Sequence, residues 1–224
     1  MKAARISAAL SLMAALSLDR AFAQEQPRTP QIEIQTNEPI TNIQTAGDGW
    51  GGVIRKVQEL RKIPRDRDSE IISALSGNLD NLPPPFAYEV VRRTCSTDPQ
   101  RASHLFALAS GRIRYDAYRC KDATASAGVQ ATMFALQMPE CRSMLSDNEL
   151  FFSSMRRIKD AEEMFSSKAS PWWICSHGMA AIGSGLQKKA LAVADWLKPE
   201  QEWPAIKARI RAEIDYTLDK HSKK

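Results

Sequence analysis

The stretch from Leu82 to Cys120, LPPPFAYEVVRRTCSTDPQRASHLFALASGRIRYDAYRC, decides the fold. Pro83, Pro84 and Pro85 fix the backbone ahead of a helix, because proline is tolerated in a first turn whose amides have no partner. That helix carries Phe86, Val90 and Val91 inward. Asp98-Pro99 is a second start signal, with aspartate as N-cap and proline as first helical residue. Beyond it Leu105, Ala109, Ile113 and Ala117 recur every four residues, with Phe106 and Cys120 on the same side. This spacing predicts one continuous helix ending at Cys120. The result is a helical hairpin on which the remaining helices lean.

Upstream, Trp50 to Ile63 places Val53, Ile54, Val57 and Leu60 on one face and turns Arg55, Lys56, Glu59 and Lys62 away from it. Pro64 ends that helix, having no amide donor. Asp68 or Ser69 caps a short second helix with Ile71, Ile72, Leu75 and Leu79 inward. Downstream, Asp122 to Met138 reads as a third core helix, with Val129, Met133, Phe134 and Leu136 toward its end and Pro139 as its stop. Ser146 and Glu149 form a capping box for a fourth helix bearing Leu150, Phe151, Met155, Ile158 and Met164. Methionines at that spacing read as core filler rather than as a copper site. Leu186, Ala190, Val193 and Leu197 line a further helix. Ile206, Ile210, Ile214 and Leu218 line the last one, which starts at Pro199 or Pro204 and either closes the core or docks on a partner. His221 and the final lysines read as a frayed end.

Residues 1 to 23 have the build of a secretory signal peptide: basic Lys2 and Arg5, an apolar run from Ile6 to Leu18, and Ala21-Phe22-Ala23 before the cut. Asp19 and Arg20 interrupt the run too early for a membrane anchor, which needs about 20 apolar residues. Removing the segment lowers the formal charge from +5 to +3, taking away Lys2, Arg5, Arg20 and Asp19. So mild a charge does not argue for nucleic acid, whose binders concentrate basic side chains on one face. From Gln24 to Gly49 the chain is rich in Gln, Thr, Pro and Asn and reads as a flexible arm, so the helical domain is expected over residues 50–224.

Export makes disulfides the expected state of the four cysteines, Cys95, Cys120, Cys141 and Cys175. A helix of about 22 residues lies between Cys95 and Cys120, separating them by roughly 33 Å. A disulfide needs alpha carbons within about 7 Å, so those two do not pair. If the chain runs up and down, Cys141 returns beside Cys95 and Cys175 beside Cys120. The alternative, Cys120 with Cys141 and Cys95 with Cys175, requires the third helix to be broken or folded back.

Functional residues are few. SPWWICSHGMAAIGSG, residues 170–185, gathers Trp172, Trp173, Cys175 and His177. His177 is a candidate general base, paired with Asp116 or Glu140, and the tryptophans are a candidate stacking shelf. The plainer reading packs Pro171-Trp172-Trp173 as a linker on the bundle. No G-x-S-x-G turn holds a nucleophilic serine, and an oxidised Cys175 is no nucleophile. Arg112, Arg114 and Arg119 are a candidate fork for an acidic ligand or partner. Their plainer reading is a local ion network through Asp116, at i,i+4 and i,i+3 spacing, with Tyr115 and Tyr118 nearby.

LPPPFAYEVVRR, GRIRYDAYRC and His177-Gly178-Met179 after the tryptophans together resemble a family of exported proteobacterial proteins that carries no assigned activity. The resemblance covers Leu82 to Met179 and implies a fold and a compartment, nothing more. Ala102, Leu105, Phe106, Ala109 and Ser110 are similar to one Sel1 or tetratricopeptide hairpin. The unit occurs once, whereas a solenoid needs about three.

The whole reads as an all-α, single up-and-down or orthogonal bundle of about seven helices with two disulfides, located in the periplasm or secreted. No cofactor or metal is expected. The leading function is binding of another envelope or secreted protein, as adaptor or inhibitor, with no membrane span and an open oligomeric state. The alternative is an envelope hydrolase built around His177.

Overall fold

A computed structural model describes residues 49–222. The expected signal peptide, all of the expected arm except Gly49, and the last two lysines lie outside the described residues. Among those described the chain is all-α, with no strand and a single antiparallel bridge between Cys120 and Leu197.

The hairpin stands at the centre. Its first arm is α3 (Pro85–Thr94) and its second is α4 (Pro99–Arg119), preceded by α1 (Trp50–Arg61) and α2 (Asp68–Ser76). Asp98 caps α4 by accepting from the amide of Arg101 at 3.1 Å, and Pro99 opens it. Fourteen of the 21 residues of α4 are buried, and α3 packs around it together with two later helices, Asn148–Lys159 and Trp203–Ser222. α3 goes further: every residue from Pro85 to Thr94 is buried, including Glu89, Arg92 and Arg93, so this helix has no outer face.

The expected third helix is in pieces. A 3-10 turn at Ala123–Ser126 leads into α5 (Ala127–Ala135), and a second at Pro139–Cys141 leads into α6 (Arg142–Ser146). AGVQATMFA is apolar around most of its circumference, so α5 cannot bury all of itself. Leu136 is buried, while Met133 is 42% and Phe134 76% exposed. α7 (Asn148–Lys159) starts on Asp147, whose carboxylate accepts from the amide of Leu150 at 2.9 Å; Ser146 closes α6 instead of capping α7. Met155, Ile158 and Met164 are buried as expected, Met164 on a 3-10 turn after α7.

The chain then forms α8 (Trp172–Cys175), α9 (Met179–Leu186), α10 (Val193–Trp196) and α11 (Trp203–Ser222). The expected helix over Leu186 to Leu197 is therefore two short ones. Its stripe is not internal: Leu186 is 82% exposed and Val193 44%. α11 does close the core of this chain, burying Ile206, Ile210 and Ile214. His221 at its end is held, its ring stacked on Phe152 with centroids 3.7 Å apart.

Both disulfides are the expected ones. Cys95 pairs with Cys141, alpha carbons 5.6 Å apart, and Cys120 with Cys175, 5.4 Å apart. The break in the third helix does not fold the chain back. Its pieces still carry Cys141 the length of α4, so the alternative pairing has no geometry.

Candidate functional site

Each disulfide sits beside a buried ionic cluster. At the Cys95 end Glu89, fully buried, accepts from Arg92 through both oxygens at 2.7 and 2.8 Å and from Arg93 at 2.7 Å. Arg61 approaches it at 3.6 Å and donates to the carbonyls of Leu136 and Gln137 at 3.0 Å. Arg93 donates to Leu60 O and Ile63 O and pairs with Asp68. One carboxylate thus ties the carbonyl ends of α1 and α5 to α3 through a fan of guanidinium groups. Arg92 also donates to Glu140 at 3.0 Å. Burial alone would raise the Glu140 carboxyl, but hydrogen bonds from its own amide and from Arg92 hold it below the usual range.

At the Cys120 end Asp116 is fully buried, accepting from Trp173 Nε1 at 2.7 Å and from Arg119. Burial pushes its carboxyl up, and Arg119 and Trp173 offset only part of that. The Arg119 guanidinium lies 4.4 Å from the Tyr115 ring centroid and 4.9 Å from that of Trp203. This joins α4, α8 and α11.

The residues singled out in the sequence therefore scatter. Arg112 does not pair with Asp116. It is buried and donates to Asp80 at 2.6 Å, to Glu163 O at 2.9 Å and to Leu79 O at 3.3 Å, clamping two loops. Arg119 is buried and occupied, so the three-arginine fork does not form. Trp173 is buried, and Trp172 leans on Trp196 at 5.1 Å, so there is no two-ring shelf. His177 packs on Trp50 with centroids 4.9 Å apart. Glu140 lies beside Cys141 and His177 just past Cys175, at opposite ends of α4, and Asp116 is sealed by its own partners. Among the described residues no carboxylate pairs with His177 as a catalytic dyad would need. Among the described residues no group of three or more His, Cys, Asp or Glu converges where a metal ion would sit.

Two of the hollows open to solvent are mostly apolar and a third is polar. A cleft of about 450 Å³ runs between the hairpin and the α5–α6 segment, lined by Tyr88, Phe106, Met133, Leu136, Met138 and Leu145, with Arg142 in its wall. Tyr88 and Phe106 are stacked at 5.3 Å. Phe106 and Met133 also wall a second chamber of about 220 Å³, which continues between α4, α7 and α11 to Arg114. Among the described residues Arg114 has no hydrogen-bond or ion-pair partner; its charge is felt by Tyr88 and Tyr118. A third, polar hollow of about 380 Å³ holds Arg101, His104, Arg112 and Lys168 beside Asp80 and Glu163.

Sequence reasoning missed Glu89, His104 and the cleft. Glu89 with Arg92 and Arg93 had a legible i,i+3 and i,i+4 spacing, but nothing local says that all three are buried. The cleft had one signal: Met133 and Phe134, adjacent on a helix of nine residues, cannot both face one core.

Comparison with family models, with curated proteins and with solved structures finds no match for this chain.

Proposed function

We propose that this chain is an exported, disulfide-stapled binding module that grips an apolar segment of another envelope or secreted protein, as adaptor or inhibitor. The observation that carries the reading is the cleft between the hairpin and α5–α6, with Phe134 standing 76% exposed on the same helix as Met133. Contiguous apolar surface that faces solvent marks interaction sites, and the wall of this cleft is mostly apolar. The methionines suit such a role, since an unbranched thioether adapts to the shape that enters. Arg142 in the cleft wall and unpaired Arg114 beyond it favour a partner segment with acidic residues flanking its apolar anchors. The signal-peptide pattern of residues 1 to 23 and the two disulfides support export.

The test is capture from periplasmic extract with wild-type protein and with Met133→Asp, a substitution in the cleft wall, both checked for an unchanged far-UV spectrum and melting temperature. The reading expects one partner, retained by wild type and lost with the variant. Equal recovery by both proteins, or no partner above background, overturns it.

A further inference from the structure

We propose that α9 and the segment after it form a lipid-docking surface that seats the protein on a bilayer bearing anionic headgroups. α9 contributes nothing to the core: none of its residues is buried. Met179 is 65%, Ile182 43% and Leu186 82% exposed, spaced three and four apart, so they form one apolar stripe facing water. Val193, 44% exposed, adds to it from α10.

The stripe belongs to an anchored loop. At its start Ala180 N donates to Asp122 at 2.7 Å and Met179 N to Thr124 at 2.9 Å. At its end Lys121 N donates to Trp196 O at 2.9 Å, and the Lys121 ammonium reaches Ala194 O at 2.5 Å. Both ends are held at residues 121–124, and the middle projects. The middle contains exposed Lys188 and Lys189, where the chain turns through a positive φ of 55° at Lys188.

From Met179 to Ala194 there is no acidic residue, and the two cations directly follow the apolar helix. Apolar side chains with lysines at their margin, and with the carboxylates of Asp122 and Asp195 at the foot of the loop accepting from the amides of Ala180 and Ala192, complement a surface of acyl chains beneath anionic headgroups. Trp172 and Trp196, half-buried and in contact, stand at the foot of the loop, and the indole ring favours the headgroup level. Among the described residues no helix is long and apolar enough to cross a membrane. The contact is therefore with the surface of the bilayer.

The experiment is vesicle flotation of the mature protein with phosphatidylglycerol–phosphatidylethanolamine vesicles and with phosphatidylcholine vesicles. Wild type should float with the anionic vesicles and much less with the neutral ones, and should be released by salt. Ile182→Asp with Leu186→Asp should lower the bound fraction about tenfold or more. Lys188→Glu with Lys189→Glu should lower it on anionic vesicles alone, by roughly fivefold or more per lysine. Since α9 buries nothing, the variants should keep the wild-type melting curve. Met133→Asp, in the cleft wall, should float like wild type, which separates this surface from the cleft. Failure of wild type to float with anionic vesicles overturns the proposal, as does equal flotation of the aspartate variant. A wild-type dimer that Leu186→Asp converts to monomer with flotation unchanged also overturns it, assigning the stripe to a second copy.

Discussion

Glu89 shows what a single side chain does when its helix has no outer face. Withdrawn from water, its charge is costly, and only the hydrogen bonds from Arg92 and Arg93 make it tolerable. Removing the carboxylate would leave those guanidinium groups buried with only the more exposed Glu140 and Asp68 to pair with. Glu89→Ala is therefore expected to cost about 3–5 kcal/mol, read from urea unfolding with the disulfides intact. A loss under about 1 kcal/mol would mean that water reaches the cluster. His177 makes the opposite case. Its ring contributes packing on Trp50, so His177→Ala should cost about 1 kcal/mol in the same measurement. At this scale the ionic spacing of EVVRR was readable from the letters. The burial was not, because it depends on α1, α2 and the chain after α5 closing over α3 from elsewhere.

Helices here are bounded by local chemistry and spaced by close approach. Asp98 starts α4, and Asp98→Ala is expected to cost about 1 kcal/mol. Gly111 sets how near the Met164 turn can come: a Cβ there would lie 2.4 Å from Met164 Sδ, which is itself buried. Alanine would gain about 1 kcal/mol of helix propensity. Overpacking costs about 1–3 kcal/mol, so Gly111→Ala should be net destabilising, seen as a lower urea midpoint at unchanged slope. Asp122 holds the start of α9, accepting from Ala180 N and from Thr124. Burial alone would raise its carboxyl, but those hydrogen bonds outweigh it and hold it below the ordinary aspartate range. With the folded value depressed, its contribution is complete above about pH 4, the unfolded value, and is lost as pH falls through the folded one. Asp122→Asn should therefore lower stability at neutral pH and remove part of the loss below about pH 4. Helix starts were legible at Asp98-Pro99 and at the prolines before α3, whereas α7 starts on Asp147 and not on Ser146, the residue read as its cap. The breaks in the third helix and in Leu186 to Leu197 were not legible, because periodic apolar letters do not tell a core face from an exposed one.

The whole molecule is a hairpin stapled near both ends. The bridges close loops of 46 and 55 residues, and restricting the unfolded chain over such lengths is worth about 4 kcal/mol each. Replacing either pair by serine should lower unfolding stability by about that amount, measured on the reduced-pair variant beside wild type; a loss below about 1 kcal/mol would place the stabilisation in the packed core instead. The sequence by itself determined the all-α class, the unbroken span of α4 and, through the length of that helix, that Cys95 and Cys120 do not pair; the choice between the two remaining pairings needed the path of the broken third helix. What the sequence determined follows from covalent reach and local hydrogen bonding, which a chain carries wherever it goes. Only the tertiary structure decided that Arg112 and Asp116 serve different neighbours, that Phe134 and the α9 stripe are left outside, and that a cleft opens between the hairpin and α5–α6. Burial is a property of what packs against a residue, and those neighbours come from distant parts of the chain that no local pattern names.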